Sequence, residues 1–133
     1  MASDGSVSQR AEILRDQRST SISRQLRQQL IVERLLQLIV QTAIDINLQL
    51  LLSLAQPIPE DYFDSFIKVS RNSSLSQGLA QRLAPSTGLR NRLVNQYEEI
   101  DSRIVWRSIL LTLELYPQYI QQVQVYLEQQ NAP

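Results

Sequence analysis

From Ile22 to Ala55 the chain contains neither glycine nor proline, and this uninterrupted run limits the fold more than any other feature. Within it Glu33, Gln37, Gln41, Asp45 and Gln49 recur at every fourth position, so on a helix they form one slowly drifting polar stripe. Most other positions between Leu35 and Leu54 are aliphatic. A stripe this narrow leaves an apolar arc wider than one neighbouring helix covers, which predicts packing against the rest of the domain on one side and a second subunit on another. A membrane span is the competing reading. Asp45 and a glutamine near every turn would be costly in lipid, so no membrane is expected and the segment reads as a core helix.

The flanks divide into shorter helices. Residues 1–8 are small and polar and read as a flexible N-terminal tail, with a short helix expected from Ser8 to about Arg18. The run Ser19-Thr20-Ser21-Ile22-Ser23 offers N-cap candidates for the long helix that follows. Pro57-Ile58-Pro59 ends that helix, and Pro59 is expected to open the next one, about 59–71, with Glu60 and Asp61 in its first turn. Tyr62, Phe63, Phe66, Ile67 and Val69 read as its core face. A turn at Arg71-Asn72-Ser73-Ser74 precedes a short helix from Leu75 to Leu83, and another is expected from Thr87 to Gln96. Asp101 or Ser102 then caps a long C-terminal helix packed through Trp106, where Pro117 predicts a kink or a division into two helices. No stretch reads as a strand. One all-α domain over residues 1–133 follows, an antiparallel bundle of four to five helices, and a chain this small gains from forming a homodimer.

Composition removes whole classes of chemistry. The chain has no cysteine and no histidine, which excludes thiol nucleophiles, disulfides, thiolate zinc sites and imidazole acid–base catalysis. No metal site and no cofactor is expected. Lys+Arg and Asp+Glu both number 13, so any RNA contact must be local rather than a consequence of net charge. All the basic residues but Lys68 are arginine, a residue suited to bidentate contacts with phosphate or carboxylate. The N-terminus has no basic segment followed by an apolar one, and a cytoplasmic location is expected.

The most distinctive stretch is Gly88-Leu89-Arg90-Asn91-Arg92-Leu93-Val94-Asn95-Gln96-Tyr97, followed by Glu98-Glu99-Ile100-Asp101. It resembles the signature of the HepT-like branch of the HEPN superfamily, the toxin half of HepT/MntA toxin–antitoxin systems. The flanks agree: Tyr62-Phe63-Asp64-Ser65-Phe66, Leu79-Ala80-Gln81-Arg82-Leu83-Ala84-Pro85, and Val32-Glu33-Arg34-Leu35-Leu36-Gln37 with Ala43-Ile44-Asp45-Ile46 all resemble that family. The likeness extends over about residues 25 to 115.

The family signature is an arginine, a polar neighbour, three further positions, a histidine, one residue and a tyrosine. By resemblance Arg90 is the arginine, Asn91 its neighbour and Tyr97 the tyrosine, while Asn95 stands at the histidine position. The resemblance implies a metal-independent endoribonuclease whose site is completed in a homodimer. It also implies a nucleotidyltransferase antitoxin, MntA-like, that silences the toxin by transferring AMP onto Tyr97.

Helix geometry and proton chemistry can be considered separately from the resemblance. At about 100° per residue, Arg90 and Tyr97 fall about 20° apart on one helical face, whereas Asn95 falls about 140° from Arg90. Either the helix unwinds near Val94 or a second subunit completes the site. Arg90, with Arg92 and Asn91 in support, can hold a phosphate through charge-assisted hydrogen bonds. Asn95 exchanges no proton near neutral pH, and general acid–base catalysis typically contributes about 10²–10⁴-fold. Three readings follow: a toxin ribonuclease attenuated at Asn95, a non-catalytic binding partner of a nucleotidyltransferase, or a helical dimerisation module whose Arg90, Asn91 and Tyr97 only hydrogen-bond at an interface.

Overall fold

A computed structural model of the chain describes residues 3–95 and 100–131, with side chains from Val7 onward. The described residues form five helices and no strand: α1 (Ser3–Ser53), α2 (Tyr62–Asn72), α3 (Gln77–Leu83), α4 (Ser86–Asn95) and α5 (Ser102–Gln130). The all-α expectation holds. The chain divides into two units, residues 1–32 and 33–133.

The first unit is helical from Ser3, including residues 3–8 of the expected tail. The break expected at residues 19–23 does not occur. Thr20 shows why, because its hydroxyl donates to the Asp16 carbonyl at 2.8 Å, one turn back, instead of capping a new helix. Nearly all side chains of this unit from Val7 onward are exposed, Leu14, Ile22 and Leu26 among them.

In the second unit, α1 buries Leu36, Val40, Ala43, Ile44, Leu50 and Leu51. The core continues through Phe66 and Val69 of α2, Leu79, Ala80 and Leu83 of α3, and Leu115, Tyr116, Tyr119 and Val123 of α5. Tyr119 lies edge-on to both Phe66 and Tyr116, with ring centroids at 6.0 and 5.9 Å. By length and composition α1 is apolar enough to cross a bilayer. Leu36, Val40, Ala43, Ile44, Leu50 and Leu51 pack among protein neighbours while Leu38 and Ile39 are exposed, and Asn47 is hydrogen-bonded within that packing.

Helix ends follow local chemistry. α1 terminates with Ala55 at φ 54°, where the amides of Ala55 and Gln56 reach the carbonyls of Leu52 and Leu51, both at 3.0 Å. That pair of bonds is the Schellman arrangement. Pro59 does not open α2. Asp61 is its N-cap, accepting from the Asp64 amide at 2.7 Å, while the Asp64 carboxylate accepts from the Glu60 amide at 3.1 Å. This reciprocal pairing fixes the start of α2 beyond the prolines. Ser76 caps α3 and Asp101 caps α5.

α3 and α5 run antiparallel. The Ser76 amide at the start of α3 meets the Gln122 side chain and Arg82 near its end pairs with Glu114 at 3.0 Å, so rising positions on α3 match falling positions on α5. α5 remains one helix through Pro117 rather than dividing in two. Buried Leu115, Tyr116, Tyr119 and Val123 on both sides of the proline hold it in place. Trp106, expected to anchor this helix, is 62% exposed, because the buried residue of its first turns is Val105.

Candidate functional site

α4 is set by the turn that precedes it. The hydroxyls of Ser86 and Thr87 donate back to the carbonyls of Leu83 and Ala84 at 2.6 and 2.8 Å, tying the new helix to the end of α3. Since the single Ser86 hydroxyl proton is directed at Leu83, Tyr116 is the donor in their 2.8 Å contact. Burial pushes the Tyr116 hydroxyl pKa up to about 12, only partly offset by Ser86. Thr87 and Leu93 face the core, which leaves Asn91, Arg92, Val94 and Asn95 exposed.

Arg90 is partly buried. Its guanidinium carbon lies 5.2 Å from the centre of the Tyr62 ring, and Nη1 donates to Asn91 Oδ1 at 3.2 Å. Its Nε is buried and has no acceptor among the described residues. Neither Arg90 nor Arg92 is paired with a carboxylate among those residues, whereas Arg82 and Arg103 are. Among the described residues, two cationic groups therefore stand on α4 without a carboxylate partner. The Asp101 carboxyl is held below its usual range, chiefly by the Arg103 amide and then by its guanidinium.

The helix persists through Val94 to Asn95, so the expected alternative of unwinding is absent within α4. On continuous helix Asn95 stays about 140° away from Arg90. Arg90, Asn91 and Arg92 are adjacent, and Arg90 and Asn91 are bonded to one another; Asn95 makes no hydrogen bond with them among the described residues. Tyr97 lies outside the described residues. An open groove at the start of α5 is lined by Ser102, Arg103, Trp106, Arg107 and Leu110, and includes none of the α4 residues. Among the described residues no three acidic side chains converge as metal ligands would.

The residue that sequence reasoning missed is Tyr62. The sequence pattern places its ring on the core face of α2, yet it is 38% exposed and lies under the Arg90 guanidinium. Its backbone carbonyl accepts from Ser65 Oγ at 2.6 Å, Ser65 Oγ accepts from Asn47 Nδ2 at 3.2 Å, and Asn47 Oδ1 accepts from the Tyr119 hydroxyl at 2.6 Å. The only signal in the sequence was Asn47 itself, a polar residue on the apolar side of α1.

Arg90 and Arg92 flank Asn91 on α4 of an all-α scaffold, and comparison with known families gives that scaffold a lineage. Residues 5–123 match the Ribonuclease HepT-like family, and the chain belongs to that family. It is 47% identical over 100 residues to the tRNA nuclease HepT of Aphanizomenon flos-aquae, covering 75% of this chain and 68% of that one. It is 35% identical over 63 residues to the mRNA nuclease HepT of Shewanella oneidensis, covering 47% of each chain.

Proposed function

We propose that this protein is a HepT-type toxin ribonuclease that acts on tRNA or mRNA in the cytoplasm, with its activity attenuated at Asn95. The observation that carries the reading is Arg90. By resemblance it stands at the signature arginine of the HepT-like family to which the chain belongs, and it rests on Tyr62 and has no carboxylate partner among the described residues. A guanidinium so held is suited to a scissile phosphate, whose developing charge it can stabilise. Asn91 orients it, and Arg92 adds a second positive group on the same short helix.

A homodimer supplies what one helix does not. Arg90 of one protomer then works with Asn95 of its partner, and the wide apolar surfaces of the chain serve as the contact. Asn95 can hydrogen-bond the reacting oxygens without exchanging a proton, which removes about 10²–10⁴-fold of the acceleration a histidine there provides. A nucleotidyltransferase antitoxin acts on Tyr97 by AMP transfer.

The test is incubation of the purified chain and an Asn95→His variant with total tRNA and with mRNA. Cleavage by the variant alone, or at a much higher rate, is the expected result. Silence from both sinks the idea that position 95 is the defect, and favours a second reading, motivated by the same asparagine. In that reading the chain is a non-catalytic partner of the nucleotidyltransferase, and AMP appears on Tyr97 in mass spectra after incubation with the transferase and ATP.

A further inference from the structure

Arg90 reaches from α4 onto a ring that belongs to α2. The guanidinium carbon is 5.2 Å from the Tyr62 ring centre. Nη1 is engaged by Asn91, and Nε is buried without an acceptor among the described residues. The Tyr62 carbonyl is fastened through Ser65 and Asn47 to the fully packed Tyr119, so the backbone bearing the ring is anchored to α1 and α5. Nη2 has no acceptor among the described residues and is the part of the fork left for an incoming anion.

We infer that Tyr62 is a positioning residue for Arg90, a ring that fixes the guanidinium plane so that its free edge meets the RNA phosphate. This rests on the proposed RNA reading of the site and adds the residue that orients its central cation. A long arginine side chain loses rotamer freedom when it is immobilised. A ring already placed by α2 reduces how much of that loss falls on RNA binding, and the attraction between cation and ring keeps the orientation. The ring face provides this contact and the hydroxyl does not, so phenylalanine preserves it and leucine does not.

The experiment is a double-mutant cycle on the full-length chain. Affinity for a fluorescent single-stranded RNA is measured by anisotropy for the wild type, Tyr62→Phe, Tyr62→Leu, Arg90→Ala and the Tyr62→Leu/Arg90→Ala double variant. Tyr62→Phe is expected to bind within about twofold of wild type, and Tyr62→Leu to bind roughly three- to tenfold more weakly. The double variant should be no weaker than Arg90→Ala alone. Multiplying effects, a Tyr62→Phe as impaired as Tyr62→Leu, or an unaffected Tyr62→Leu overturns the inference. Nitrogen-15 relaxation of the Arg90 Nε–H provides a readout independent of RNA. It should report a rigid side chain in wild type and Tyr62→Phe and a mobile one in Tyr62→Leu. If no variant binds RNA, the functional reading fails, and Arg90 mobility alone decides the positioning role: mobility unchanged in Tyr62→Leu refutes it.

Discussion

Tyr119 and Asn47, separated by 72 positions, share a 2.6 Å hydrogen bond at the centre of the bundle. Neither side chain meets appreciable solvent. The Asn47 amide passes the connection on to Ser65, so one asparagine joins α5 to α2 through α1. Tyr119→Phe keeps the ring packing and removes the donor, leaving Asn47 Oδ1 buried and unsatisfied. The expected loss is about 1–3 kcal/mol of unfolding free energy, measured by urea titration. A change within experimental error would mean that Asn47 finds another partner.

Alkaline pH should act through the same region. Burial raises the pKa of both Tyr116 and Tyr119 above the usual tyrosine value of 10.0, Tyr116 to about 12. A raised tyrosine pKa means that the unfolded chain loses its proton first. The contribution of these tyrosines is then constant below pH 10 and falls as pH rises from there toward the folded-state values, by on the order of 1.4 kcal/mol per pH unit for each tyrosine. Melting curves between pH 7 and 11.5 check this. Tyr116→Phe should flatten the decline, and an identical slope in that variant would exclude Tyr116 as a cause.

Asp61→Ala removes the side chain that receives the Asp64 amide at the start of α2. A cost of about 1 kcal/mol in unfolding free energy is expected, with Asp61→Asn close to wild type. Equal losses in both variants would point to charge rather than capping.

Trp106, Leu110, Leu113 and Ile120 are exposed and follow one another at four, three and seven residues, along a single face of α5. An apolar stripe of this kind suits a second copy of the chain. Leu113→Glu is therefore expected to shift the protein from dimer toward monomer at micromolar concentration, read by light scattering after gel filtration. A dimer unaffected by the change places the interface elsewhere, and a monomeric wild type removes the two-protomer site altogether.

Features set by nearest neighbours in the chain were legible in advance. The stop at Pro57-Ile58-Pro59, the α5 cap at Asp101 or Ser102, which falls to Asp101, and a short helix expected over Thr87–Gln96 and found at Ser86–Asn95 all depend on a few adjacent residues. Features decided by competition were not. At Ser19-Thr20-Ser21, hydroxyls suited to capping also bond within a helix, and there the continuing helix won. Trp106 carries the largest apolar side chain in α5, but size does not determine which face of a helix turns inward. At the site, Arg90 could be picked out from its neighbours in the sequence. Its contact with Tyr62 required knowing how α2 lies against α4, which no local pattern encodes.

The end of α1 leaves unused stability in the fold. Ala55 holds a left-handed conformation that a side chain bearing Cβ resists by roughly 1–2 kcal/mol, and the residue is exposed. Glycine at this position relieves that strain, while its greater freedom in the unfolded chain takes back part of the gain. Ala55→Gly is thus a single-site reserve, remote in sequence from α4, that an engineer could draw on to offset destabilising changes made at Arg90 or Asn95.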